Sequence, residues 1–429
     1  MGEPIIDDVV SERFVAPETG RPLTSGIRSL VISPSLEGRE ADLVRGLKVP
    51  GRIAVVSDEN THAVLGSRVA TALGDVDEIV LDHPKADEDR AANLAHKARH
   101  ADLLVAVGSG TLNDLCKYVT HKTGRSCAVF ATAPSMDGYV TSTVSIARDG
   151  FKYSLPAHSP RGVFFDLSVA AAAPARMIKA GLGDTVCRTT AQLDWLLSHR
   201  LLDTVYADTP YALMREDEPR LYAVADKTLD GDLGAMRLLV RLLVLSGLGV
   251  LVTNTSHCGS MGEHAISHFI DTFADPHPKT LHGEQVGVAT WSMGRLHAAM
   301  LAQAEPPVLK PLALDPAVFE RDYGKFASIC LTAARKKPFD AAGTDALNAR
   351  LAERWGAIRD ELLGFMLPVA RMAEVYDSAD LPRTAEEAGI PSHLYRRAVG
   401  HAHEIRDRYG FLDLAAQSGR LEAFAAGER

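Results

Sequence analysis

The stretch "DLLVAVGSGTLNDLCKYV", residues 102–119, decides the fold. Its apolar run Leu103–Val107 shows no polar alternation, so it reads as a strand buried on both faces. Gly108 and Gly110 then let the backbone turn sharply, and an amphipathic helix follows. A helix entered this way offers its first N–H groups to a phosphate. The third glycine of a dinucleotide fingerprint is missing, since position 113 is Asn, so the motif alone fits a plain strand–helix turn equally well.

The neighbouring sequence repeats the unit. "SLVIS", "RIAVVSD", "DEIVLD", "CAVFATAPS" and "GVFFDLS" read as further short buried strands, separated by helical segments such as "HAVLGSRVATAL" and "EDRAANLAHKARH". This pattern predicts an α/β Rossmann-like domain built on a mostly parallel sheet, with ligands beyond the carboxyl ends of its strands. Those ends carry "SDENT", "GSGT" and "TAPSMDGY". From Pro174 onward the chain becomes rich in Ala, Leu and Arg with helical periodicity, as in "TTAQLDWLLSHRLL" and "LNARLAERWGAIRDELL". The expected division is therefore residues 1–173 as the dinucleotide-binding domain and 174–429 as an all-α domain.

Composition narrows the functional class. A formal charge of −9 without any Lys/Arg cluster argues against nucleic acid as a partner and leaves room for a small-molecule substrate. The longest apolar run, "LLVLSGLGVLV", reads as too short and too glycine-interrupted to span a membrane, so no integral membrane association is expected. The acidic start "MGEPIIDDVVSERF" lacks the order of a secretory signal. The five scattered cysteines form no CxxC pair, which suits reduced thiols in the cytoplasm.

Several polar residues carry both a bland and a chemical reading. Asp58 can cap the helix after its strand or accept hydrogen bonds from an adenosine ribose. Asp137 lies in a loop of small hydroxyl residues that can close a turn or wrap a cofactor. His264 and His268 lie one helical turn apart and share a face, and His257, His277 and His282 are close in sequence. The order His-Glu-x-x-His of zinc proteases is absent, because Glu263 precedes the first histidine. Asp184, in "GLGDTVCR", follows two glycines where a helix is expected to begin, as a cap or as a metal ligand. One carboxylate with two neutral imidazoles would form an open Lewis-acid site.

Together "DENT", "GSGTLND", "TAPSMDGY", "KYSLPA", "GLGD", "GEHAISH" and "LHGEQVG" resemble the family of glycerol dehydrogenase, glycerol-1-phosphate dehydrogenase, dehydroquinate synthase and the iron-dependent alcohol dehydrogenases. The resemblance runs from about residue 50 to about residue 290 and points most closely to the glycerol-1-phosphate dehydrogenase branch, including AraM-like proteins. It implies a dehydroquinate synthase-like fold and NAD(H) or NADP(H) bound at Asp58, Gly108, Gly110, Thr111, Leu112, Asn113, Asp114, Thr132, Ser135 and Thr141. It further implies a divalent metal, zinc with nickel or iron as alternatives, on Asp184, His264 and His282. Asp137, Asp184 and His268 would be the catalytic and substrate-contacting residues. Four residues after Asp184 the iron-type enzymes place a metal-binding His, and here Arg188 stands there, which favours the three-ligand branch.

The implied reaction is reversible reduction of dihydroxyacetone phosphate to sn-glycerol 1-phosphate, a step in phospholipid metabolism, by a cytoplasmic homodimer or other homo-oligomer. Two departures fall at the substrate end: Met136 stands where relatives commonly have His, and His257 where an Arg is usual. Lys152, His257 and nearby turn N–H groups are the candidate phosphate donors. A glycerol, polyol or sugar-phosphate dehydrogenase is the alternative on the same fold. A dehydroquinate synthase-type cyclase lacks its Lys- and Arg-rich phosphate motifs here, and a non-catalytic nucleotide-binding protein would not need the metal ligands.

Overall fold

The computed structural model describes residues 4–429. Its central sheet contains β1 (Ser29–Ser33), β2 (Ile53–Asp58), β3 (Asp77–Leu81), β4 (Leu103–Gly108), β5 (Ser126–Ala131) and β8 (Gly162–Asp166). These are the six runs expected from the sequence. Their order is β1-β8-β5-β4-β2-β3, and every pairing is parallel. Val105 at the centre pairs with Val55 on one side and Ala128 on the other, and all six residues of β4 are buried. That double burial is why the strand shows no polar alternation. The glycine turn at its end leads directly into helix α1 (Gly110–Thr123).

Two antiparallel pairings escaped the sequence reading, the short one of Val15–Ala16 with Arg21–Pro22 and a longer hairpin. β6 (Thr143–Arg148) and β7 (Phe151–Pro156) pair antiparallel through a two-residue turn at Asp149 and Gly150. Both turn residues have positive φ, 52° and 87°, the left-handed pair that an Asp-Gly hairpin turn requires.

The chain divides into two compact units, residues 1–185 with 208–255, and residues 186–207 with 256–429. The expected cut near residue 173 therefore differs from the observed division. Helix α2 (Ala175–Val186) belongs almost entirely with the sheet, and so does α4 (Leu233–Thr253). Gly181 explains the first assignment: a Cβ there would fall 1.6 Å from the carbonyl oxygen of Pro134, so α2 is pressed onto the loop after β5. The same observation corrects the placement of Asp184. The glycines do not start a helix; they lie inside α2, and Asp184 is in its last turn.

The apolar run "LLVLSGLGVLV" also needs correction. It is not interrupted but lies within the 21-residue α4, which is long and apolar enough to cross a membrane, and 72% of its apolar stretch is buried inside the protein. Its glycines are close-packing points. A Cβ on Gly247 would meet the Asp137 carbonyl oxygen at 2.4 Å, and one on Gly249 would meet Pro210 Cβ at 2.8 Å.

The second unit is helical throughout its described elements. It includes α3 (Arg188–Leu202), α5 (Gly262–Phe273), α6 (His282–Leu301) and the long helix α7 (Ala341–Phe365). Asp194 of α3, fully buried, takes hydrogen bonds from Gly262 N at 2.9 Å and Phe411 N at 2.8 Å. It thereby anchors the N-terminus of α5, whose dipole favours a carboxylate at that end.

The tight α2 contact generates a prediction. Gly181→Ala forces backbone apart and should lower stability by about 2 kcal/mol or more, whereas Gly356→Ala in α7, with nothing within 4 Å of the added Cβ, should raise it by about 0.5–1 kcal/mol. Urea denaturation of both variants checks the contrast.

Candidate functional site

In the first unit the carboxyl ends of β2, β4 and β5 lie side by side, because Val56 pairs with Ala106 and Gly108 with Ala131. Asp58, the Gly108–Gly110 turn and Thr132 are thereby brought to one edge. Asp58 is an N-cap with a full capping box: Oδ1 accepts from Thr61 N at 2.8 Å, and Thr61 Oγ1 accepts from Asp58 N at 3.0 Å. The bland reading of Asp58 is thus realised through one carboxylate oxygen.

Helix α1 begins without a side-chain cap at Ser109, and its first N–H groups have no partner within the helix. Gly108 makes room for Leu112, whose Cδ1 would lie 2.2 Å from an added Cβ, and Gly110 faces Met136 Sδ at 2.8 Å in the same sense. Asn113 is buried, donates to Asp114 and Gly138 O, and leaves Oδ1 without a partner. An orphaned buried acceptor in the first turn of the helix fits a site for a hydrogen-bonding ligand.

Other cofactor-assigned residues are engaged inside the protein. Asp114 is buried and accepts from Ser145 N at 2.9 Å; burial raises its carboxyl and Lys117 opposes the shift. Lys117, fully buried, donates to Gly138 O, Thr141 Oγ1 and Thr143 O. Asp114 and Thr141 therefore brace the 138–145 segment. Thr132 is buried, and Ser135 and Thr111 are half-buried on the same edge.

Asp184 joins this loop from behind. Its Oδ2 accepts from Asp137 N at 2.9 Å, while Asp137 Oδ2 accepts from Ser246 Oγ of α4 at 2.8 Å. Asp184 is 4% exposed, and it stands in the last turn of α2.

In the second unit His264 and His282 face each other, with ring centroids 5.0 Å apart, and His268 lies 6.4 Å from His282. Their protonation follows from their partners. Glu263 is fully buried, and its Oε1 lies 3.0 Å from His264 Nδ1 and accepts from Met261 N at 2.7 Å. Burial pushes the Glu263 carboxyl up, but the His264 hydrogen bond and charge and the Met261 N–H outweigh it and hold the group low. An ionised carboxylate only accepts, so His264 carries its proton on Nδ1.

A longer chain of bonds does the same for His282. Gln285 Nε2 donates to Asp271 Oδ1 at 3.0 Å and Thr280 Oγ1 at 2.9 Å, which turns Gln285 Oε1 toward Ser267. Ser267 Oγ donates its single proton to that oxygen at 2.7 Å and must accept from His282 Nδ1 at 3.2 Å. Both rings are thus held through Nδ1, the arrangement found where a carboxylate or hydroxyl orients a metal-bound histidine. The sequence reading missed Glu263, Ser267 and Gln285 as partners, since ordinary polar residues on helices give no motif.

Cys187, Glu263 and His264 also bring one donor each within 4.8 Å of one another, all buried. Glu263 already serves His264 Nδ1 there, so a metal at that point would displace the proton that orients the ring. His257 behaves otherwise than expected as a phosphate donor. Burial and the charges of Arg408 and Arg406 push its pKa down to about 3, so it is neutral at physiological pH.

Comparison with known proteins places these features in context. The iron-containing alcohol dehydrogenase family profile matches residues 31–174. Glycerol-1-phosphate dehydrogenase (NAD(P)+) of Methanosarcina acetivorans is 33% identical over 63% of this chain and 76% of its own length. The protein of the same name from Halalkalibacterium halodurans is 32% identical over 57% of this chain, which spans 64% of that protein. The crystal structure of glycerol dehydrogenase from Schizosaccharomyces pombe shares the fold, with a TM-score of 0.59 at 18% identity over 93% of this chain and 90% of the other.

The bond chain to His282 is directly testable. Ser267→Ala removes the acceptor for Nδ1–H and should weaken divalent metal binding by about 10–100-fold, measured by calorimetric titration with Co2+ or Zn2+. Unchanged affinity would mean that another contact orients His282.

Proposed function

The chain belongs to the glycerol-1-phosphate dehydrogenase family, and from that premise we propose that it reduces dihydroxyacetone phosphate reversibly to sn-glycerol 1-phosphate with NADH or NADPH. The observation that carries the metal dependence is the facing pair His264 and His282, each ring held through Nδ1. Asp184 is proposed as the third ligand; it and His264 are buried and His282 is half-buried. Two imidazoles and one carboxylate suit zinc, with nickel or iron as alternatives. When bound, the dinucleotide supplies the hydride and the metal supplies Lewis acidity toward the charge that develops on the substrate oxygen.

The chain's own residues supply position. The glycine turn and the N-terminus of α1 take the pyrophosphate, Thr132 and Ser135 line its path, and Asn113 Oδ1 accepts from the cofactor. Asp58, with Oδ1 committed to its helix, uses Oδ2 for the adenosine ribose. Asp137, held by Ser246, orients the substrate hydroxyl, and His268 delivers the proton to the new alcohol. Asp114 and Thr141, assigned to the cofactor on sequence, also hold the surrounding loop. The five buried cysteines, none of them paired in a disulfide, support a cytoplasmic setting. A homo-oligomer is carried over from the resemblance alone.

Metal content and turnover separate these roles. His264→Ala and His282→Ala should lose bound metal and activity while the sheet-bearing unit still binds NADH. His268→Ala should keep its metal and lose rate. Loss of metal from the His268 variant, or near-normal activity in either of the others, contradicts the assignment.

A second outcome concerns the cofactor. NADH should be preferred, because the Asp58 carboxylate repels a 2′-phosphate, and Asp58→Ser should narrow the ratio of the two specificity constants. Equal use of NADPH by the unaltered protein would show that Asp58 only caps its helix.

A further inference from the structure

The segment "IRDRYG", residues 405–410, brings two guanidinium groups to the loop that precedes α5. Arg408 Nη2 donates to Ser256 Oγ at 2.7 Å, and Nη1 donates to Ser260 O. Arg406 Nη1 donates to Ser260 Oγ at 3.0 Å. Neither arginine has a carboxylate at ion-pair distance among the described residues. Asp407 between them pairs with Lys336 at 2.8 Å, and Glu263 is held by His264 and Met261 N.

Two like charges without a paired counter-ion repel each other where water is scarce. Burial lowers the pKa of both groups, and for Arg408 the neighbouring Arg406 adds to the shift. Both are half-buried rather than sealed, and most of their N–H donors remain after the serine contacts. Glu263 and Asp407 both exert their charge on the two arginines without pairing with either, and Glu263 puts the pair at the end of α5 that bears His264. Two unpaired guanidiniums beside a substrate-end loop form a receptor for a dianion, and the planar fork of Arg suits phosphate oxygens.

We propose that Arg406 and Arg408 bind the phosphate of the substrate and set the preference for a phosphorylated ketone over its unphosphorylated counterpart. This inference rests on the proposed dehydrogenase function and names the residues that select its substrate class. It also explains how the chain manages with a neutral imidazole at His257: the positive charge at that end of the unit comes from residues about 150 positions further along.

The test compares specificity constants for dihydroxyacetone phosphate and dihydroxyacetone in the metal-loaded enzyme. The unaltered protein should favour the phosphate ester by about two orders of magnitude or more. Arg406→Gln and Arg408→Gln should each cut that ratio by roughly 10–100-fold, and Arg408→Lys should restore part of it. A ratio that stays constant in both Gln variants overturns the proposal, whether or not absolute rates fall, because a structural clamp would lower both constants together. A calorimetric titration with inorganic phosphate separates the anion site from the substrate assignment. If the unaltered enzyme does not favour the ester, the proposed function fails; phosphate binding that is lost in the Gln variants then still supports the anion site, and binding that persists in them refutes it.

Discussion

The approach of α2 to the loop after β5 is the constraint from which the first half of the site follows. Only a glycine at position 181 permits the helix to lie against the Pro134 carbonyl oxygen. That contact carries Asp184 to the backbone of Asp137, where the carboxylate accepts the amide N–H. α4 closes on the same loop through Gly247 and Ser246. The loop is therefore set by two helices with no side chain between backbone and backbone at the tightest points. A buried carboxylate is costly without a counter-charge, and the proposed metal would supply one.

In the helical unit, positioning depends on hydrogen-bond direction rather than on close packing. Glu263 can only accept, and Ser267 has a single proton to give. These two facts settle which nitrogen of each facing imidazole carries hydrogen. The sequence order that looked unhelpful for a metal motif, Glu before His, is the order that lets Glu263 reach Nδ1 of its neighbour. Asp194 then fixes the start of α5 and Gln285 ties Ser267 to α6.

Much of this was legible in the sequence, for identifiable physical reasons. Strands buried on both faces leave uninterrupted apolar runs, so all six members of the parallel sheet could be read directly. The hairpin at 143–156 was overlooked although Asp149-Gly150 marks its turn, because its flanking residues mix polar and apolar types. Gly181 was misread as a helix boundary because a glycine needed for contact looks the same in sequence as one needed for a turn. The candidate ligands His264 and His282 stood out by residue type, whereas Ser267, Gln285, Arg406 and Arg408 gain their meaning only from partners distant in the chain or across helices.

Crystallography with zinc and anomalous scattering at the zinc edge would test the central claim most directly. The account predicts one peak, coordinated by Nε2 of His264, Nε2 of His282 and the Asp184 carboxylate, with Glu263 and Ser267 still on the two Nδ1 atoms. A peak on the Nδ1 side of His264, shared with Cys187 and Glu263, or one that does not involve both histidines, would contradict it.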